Sequence, residues 1–207
     1  MYNYTFDIAL KDKTIKCRAF TLREYRDLLK AKADGKVKHV VLDLIKKCSN
    51  ATDLSKVEAE VVLIKLWAHS LGDVNFISTH VCTCGNKIDV PISINSIQYP
   101  ELEDIWHDFG QFKIKFKHPK LFDNENVINM VFGCIDFLLI DKEEVKIEDL
   151  TDIEIQDLYN FITIEMISEI SAKLTKAEAY IALPIVCKCG ESSVKLISGL
   201  KSFMEIL

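Results

Sequence analysis

Apolar and polar residues alternate through the first stretch of the chain. Tyr2, Tyr4, Phe6, Ile8 and Leu10 share one face, Lys11-Asp12-Lys13 turns, and Ile15, Cys17 and Ala19 return. A period of two predicts an N-terminal β-hairpin. The period then lengthens at Thr21-Leu22-Arg23-Glu24, which has the S/T-x-x-E form of a capping box. In that motif the Thr and Glu side chains satisfy two backbone amides that a helix start leaves free. The same signature stands at Ser55 to Glu58 and at Thr151 to Glu154, so three helix starts are predicted.

From Val57 to Leu71, one stripe of Val57, Val61, Ile64, Ala68 and Leu71 is broadened by Val62, Leu66 and Trp67. A helix apolar on so many sides belongs at the centre of a core, and Gly72 ends it. Pro91 and Pro100 bracket the exit from the first cysteine-bearing stretch, after which Phe112-Lys113-Ile114-Lys115-Phe116-Lys117 alternates strictly. Its lysine row reads as an exposed edge strand protected from aggregation by charge, or as a stripe for an acidic or phosphate-bearing partner.

Asn124 to Ile140 is expected to be helical, and the acidic run from Asp141 to Asp149 a solvated loop. The helix opened by Thr151 is expected to run to about Lys173 with two apolar faces, a pattern that fits either a neighbour from another subunit or a fully buried central helix. Leu200, Phe203, Met204 and Leu207 then form a short amphipathic tail that docks on the core or on a partner. If it serves a partner, polar replacements of Phe203 and Leu207 leave the monomer folded and abolish binding.

Candidate chemistry lies in two short strings of matching spelling, Cys82-Thr83-Cys84-Gly85 and Cys187-Lys188-Cys189-Gly190. Each is followed by alternating residues, Lys87 to Ile94 in the first case and, more weakly, Ser192 to Leu196 in the second. Four thiolates on two tight turns suit one tetrahedral ion, and zinc is the expected metal at Cys82, Cys84, Cys187 and Cys189. Each pair is one residue shorter than the C-x-x-C of common zinc ribbons. Closing the long loop between the pairs costs roughly 4 kcal/mol, against roughly 10–16 kcal/mol supplied by a structural zinc site.

His80 is a reserve ligand or an ordinary strand residue. Four unremarkable cysteines, or two reversible disulfides, are the other readings. Reactive thiols usually sit at a helix N-terminus, and neither pair does. A shell filled by four cysteines leaves no position for a catalytic water, so the metal is structural.

Composition narrows the remaining choices. With 207 residues and 49% apolar content the chain buries a real core. A net charge of −5 and a pI near 5.6 provide no general attraction to nucleic acid or anionic lipid. Seven cysteines with no secretory signal point to the cytoplasm, and Cys17, Cys48 and Cys134 read as small buried apolar residues. The apolar run from Val127 to Ile140 is shorter than the ~20 residues a transmembrane helix needs. Phosphate-loop, dinucleotide, zinc-protease and serine-hydrolase motifs are missing, so no catalytic residue is assigned.

Several strings in order carry a resemblance. They are Arg18-Ala19-Phe20-Thr21-Leu22-Arg23-Glu24-Tyr25-Arg26-Asp27-Leu28-Leu29, Leu54 to Glu60, Trp67-Ala68-His69-Ser70-Leu71-Gly72 and the first cysteine turn. Cys187 to Gly190, with Gly199-Leu200 and Phe203 after it, completes the set. Over nearly the whole chain this resembles the baseplate hub protein family of T-even-type contractile-tailed bacteriophages.

The resemblance implies a non-enzymatic hub component or assembly factor, or a chaperone for the tape-measure protein. Its partners would be other hub or tail proteins, and its place the host cytoplasm during assembly and the tail baseplate of the virion. The competing readings are a zinc-ribbon adaptor touching nucleic acid or a transcription complex through the lysine strand, and a thiol-disulfide enzyme. The expected architecture is a single α+β domain over residues 1–207. It has an N-terminal β-hairpin, several amphipathic helices, and a zinc-ribbon-like element from about 78–98 and 180–197 built on the two C-x-C-G turns.

Overall fold

Thr21, Ser55 and Thr151 each accept a hydrogen bond from the amide three residues on, while Glu24, Glu58 and Glu154 reach back to the cap's own amide. All three predicted capping boxes therefore open helices. The computed structural model describes residues 4–206, which leaves Tyr2 of the hairpin face and Leu207 of the tail outside the described residues. The chain folds as α+β and forms two compact units: one from residues 1–99 and 178–207, the other from residues 100–177.

The first unit begins with β1 (Thr5–Ala9) and β2 (Thr14–Arg18), an antiparallel hairpin closed by the Leu10 amide donating to the Lys13 carbonyl at 2.8 Å. Ile8, Ile15 and Cys17 point inward from it. Helices α1 (Leu22–Ala33), α2 (Val37–Cys48) and α3 (Lys56–Leu71) follow, each in contact with the next. α2 has no side-chain cap, which is why no cap signal marks it in the sequence.

α3 is buried on every side. Val57, Val61, Val62, Ile64, Leu66 and Ala68 are all enclosed, and each large aliphatic side chain contributes about 1.5–3 kcal/mol of transfer free energy. Its end is set by Gly72, whose φ of +88° is a conformation that glycine adopts without steric cost.

Two more antiparallel hairpins complete this unit: β3 (Asn75–Val81) with β4 (Lys87–Ser93), and β9 (Tyr180–Val186) with β10 (Ser192–Ser198). β4 packs beside β9, and Gln98 and Tyr180 exchange two backbone hydrogen bonds of 2.9 and 2.7 Å. The tail is helix α7 (Gly199–Ile206), which contacts α3 and β10. Phe203 is 0% exposed. Of the two alternatives for the tail, the described part takes the core.

The second unit is a four-stranded antiparallel meander of β5 (Ile105–Asp108), β6 (Lys113–Phe116), β7 (Ile135–Ile140) and β8 (Glu143–Lys146). Three helices join it: α4 (Val127–Gly133), α5 (Asp152–Phe161) and α6 (Ile164–Thr175). Ile114, Phe116, Met130, Val131, Leu138, Leu158, Ile162, Ile170 and Leu174 form its core.

Several expectations are corrected in this unit. The helix expected from Asn124 to Ile140 stops at Gly133, because Ile135–Ile140 pairs with strands on both sides. Ladder hydrogen bonds to two neighbours outweigh a helical spacing of apolar residues. The expected loop from Asp141 to Asp149 holds a turn at Asp141-Lys142, both with positive φ, and then β8. The long helix from Thr151 breaks at Ile162, and Thr163 caps α6 by accepting from the Met166 amide at 3.3 Å. The lysine-bearing strand β6 lies inside the sheet between β5 and β7 rather than at an edge.

A candidate metal centre at two hairpin tips

The two C-x-C-G strings occupy the tips of the β3–β4 and β9–β10 hairpins and fold in the same way. The Cys82 amide donates to the Asn86 carbonyl and the Gly85 amide to the Cys82 carbonyl, both at 2.9 Å. In the second turn the Cys187 amide donates to Glu191 at 2.8 Å and the Gly190 amide to Cys187 at 2.9 Å. Gly85 and Gly190 have φ of +86° and +94°, the left-handed residue that a short hairpin loop of this kind requires. A side chain at either position would be strained whatever the space around it.

These turns bring the four sulfurs together, all within 4.8 Å of one another. Across the turns, Cys82 Sγ lies 3.7 Å from Cys189 Sγ and Cys84 Sγ lies 3.6 Å from Cys187 Sγ. Both separations exceed a disulfide bond of about 2.05 Å, and all four are free thiols. Sulfurs bound at about 2.3 Å to a tetrahedral zinc lie about 3.8 Å apart. The cross-turn spacing therefore matches two edges of such a tetrahedron. Cys82 and Cys187 are buried and Cys84 and Cys189 exposed, so each turn supplies one inner and one outer sulfur. His80, on β3, is not part of this converging group.

Asn86 and Glu191 extend the repeat by one residue and cross between the turns. Asn86 Nδ2 donates to Cys187 Sγ at 3.6 Å, and Cys82 Sγ donates to Glu191 Oε2 at 3.0 Å, where Thr83 Oγ1 also donates. Backbone amides two residues on face the sulfurs: Cys84 faces Cys82, Asn86 faces Cys84, Cys189 faces Cys187 and Glu191 faces Cys189. Amides aimed in this way favour thiolates, but the crowding of four thiols outweighs them at Cys84 and Cys189, which, like Cys82, lie above the ordinary thiol value, so Cys187 alone is drawn down. The Cys187 thiol is drawn down to about 6, first by the Cys189 amide and then by Asn86. Cys82 is pushed above its ordinary value, chiefly because Glu191 holds its proton.

The other three cysteines behave differently. Cys17, Cys48 and Cys134 are enclosed, and burial pushes each thiol up to about 11. They are inert core residues, as their positions predicted. The crossing roles of Asn86 and Glu191 were not foreseen. Their signal in the sequence is a polar residue directly after each glycine of the repeat.

The lysine row of β6 is locally neutralised. Lys113 pairs with Asp108 at 2.9 Å, Lys115 with Asp104 at 3.0 Å and Lys117 with Asp136 at 3.2 Å. Lys115 also lies over the Trp106 and Phe137 rings. A phosphate backbone would have to displace a carboxylate at every one of these positions. No helix of the described residues is long and apolar enough to cross a membrane.

The family described as T4 bacteriophage base plate protein matches residues 1–205. A protein of Enterobacteria phage T4, "Baseplate hub assembly protein gp26", is 45% identical over 208 aligned positions, covering 100% of both chains. No solved structure matches the chain.

Proposed function

This chain belongs to the T4 bacteriophage base plate protein family, and from that premise we propose that it builds the hub of a phage tail baseplate as a hub component or assembly factor. It is a structural or assembly protein that works without catalysis, through protein–protein contacts. The observation that carries this reading is 45% identity to a hub assembly protein, aligned along the full length of both chains. Its partners are other hub and tail proteins, the tape-measure protein among them. It acts in the host cytoplasm during assembly and then joins the tail baseplate of the virion.

Within that role the four cysteines hold a structural zinc, and the two hairpins form a zinc-ribbon-like element. Four convergent sulfurs, and two cross-turn separations that match edges of a zinc tetrahedron and are too long for a disulfide, support this. Binding the ion requires the Cys82 proton to leave, since zinc takes thiolates. The bound ion would pin together turns that lie far apart along the chain.

The nucleic-acid adaptor reading is disfavoured by the ion-paired state of Lys113, Lys115 and Lys117. One purification tests function and metal together. The tagged protein recovered from infected cells is expected to carry baseplate hub or tail proteins and one zinc per chain. Recovery without tail proteins would overturn the hub role, and recovery without metal would overturn the zinc site alone.

A further inference from the structure

Two uncovered helix faces of this protein carry opposite charge. α5 fully buries only Leu158. Ile153 is 74% exposed, Phe161 40%, and Ile164, the first residue of α6, 79%. Ile153, Asp157 and Phe161 are spaced four residues apart and so share one stripe, which Ile164 continues past the helix break. Between Ile147 and Ala172 the chain has seven Asp and Glu residues and no Lys, Arg or His.

α1 presents the complement. Leu22 is 87% exposed and Leu29 46%. With Arg26, Lys30 and Ala33 they form an exposed stripe at helical spacing. Within α1, Arg23, Arg26, Lys30 and Lys32 outnumber Glu24 and Asp27, and Glu24 is already held by Arg18. Arg26 lies 3.2 Å from Asp27, an exposed pair that costs little to exchange.

We propose that the α1 stripe of one copy docks on the α5–α6 stripe of a second copy, head to tail. Leu22 and Leu29 meet Ile153, Phe161 and Ile164, while Arg26 and Lys30 face Asp157 and its acidic neighbours. A symmetric pairing of either stripe with itself is opposed by charge, since it would set Asp157 against Asp157, or Arg26 and Lys30 against their own copies. A contact between two short helices lies below the area of stable complexes, so the association is weak and salt-sensitive. This goes beyond the hub reading and needs no other phage protein.

The test is sedimentation of the purified full-length chain over a wide concentration range at low and high salt. Wild-type protein is expected to self-associate, less so in high salt. Asp157→Arg on α5 and the double change Arg26→Glu with Lys30→Glu on α1 should each weaken association by ~10-fold or more. An equimolar mixture of the two reversed proteins should recover it. Ile153→Gln, which removes an apolar anchor without touching charge, should weaken it as well, and circular dichroism checks that each variant is folded.

A wild-type chain that stays monomeric at high concentration and low salt overturns the proposal. So does reversal without effect, or a mixture that fails to recover. Binding of the acidic stripe to a different tail protein without self-association also overturns it, while leaving the hub role standing.

Discussion

Arg18 and Glu24 make a two-pronged pair in which Arg18 Nη1 and Nη2 donate to the carboxylate at 3.0 and 2.7 Å. The Thr21 amide donates to the same carboxylate at 2.8 Å, so one side chain closes the α1 capping box and ties β2 to it. Arg18 first, then the Thr21 amide and hydroxyl, draw the Glu24 carboxyl down to about 2 from its ordinary 4.5. A depressed acid stabilises the fold above its unfolded value and loses that contribution as pH falls. The Glu24 contribution is therefore complete above pH 4.5 and disappears as pH falls toward 2. Glu24→Gln keeps the capping-box shape and removes the charge. Urea titrations should show it less stable by about 1 kcal/mol at neutral pH, with the difference from wild type vanishing through that acid window.

At the scale of elements, α7 is a structural helix and the α5–α6 break is a real boundary. Phe203 sits fully buried on a short helix that contacts α3 and β10. Phe203→Ala should cost about 3–5 kcal/mol of folding stability, as large-to-small changes at filled sites do. The measurement is the denaturation midpoint, and a variant that unfolds normally yet fails to bind a hub partner would reverse this assignment. The break at Ile162-Thr163 follows from the second cap, because Thr163 satisfies an amide that a continuous helix would not leave free. That break turns a two-faced helix into two elements whose exposed residues cluster near their junction.

At the scale of the molecule, the first unit is assembled from both ends of the chain, with residues 100–177 intervening. The Gln98–Tyr180 pair and the four-sulfur cluster both join those distant parts. If residues 100–177 unfold alone, the first unit has to hold closed a disordered loop, at about 4 kcal/mol. Residues 100–177 are therefore expected not to unfold ahead of the first unit. A calorimetric scan should show no transition of that unit below the one that a zinc chelator moves to lower temperature. A lower-temperature transition that the chelator leaves in place would refute this coupling. A chelator without effect would refute the metal's structural role.

Local chemistry was legible in the sequence because its causes are local. Thr21, Ser55 and Thr151 announced helix starts through a side chain and an amide three residues apart. The N-terminal hairpin showed as alternation, α3 as an apolar surface on all sides, and each cysteine turn as a glycine following two thiols. The likeness to phage hub proteins was equally readable, since it resides in the order of residues.

Contacts between distant segments decided the rest. Ile135–Ile140 became a strand because β6 and β8 offered hydrogen-bond partners on both sides, and a helical spacing of apolar residues contains no information about them. The lysine row proved to be internal to a sheet and neutralised by Asp104, Asp108 and Asp136, carboxylates that lie outside the strand itself. The cysteine spellings predicted two turns, but only tertiary packing brought their sulfurs within 4.8 Å. Propensity and capping act over a few residues of backbone, whereas burial, strand pairing and ligand convergence depend on which remote surfaces the whole chain places together.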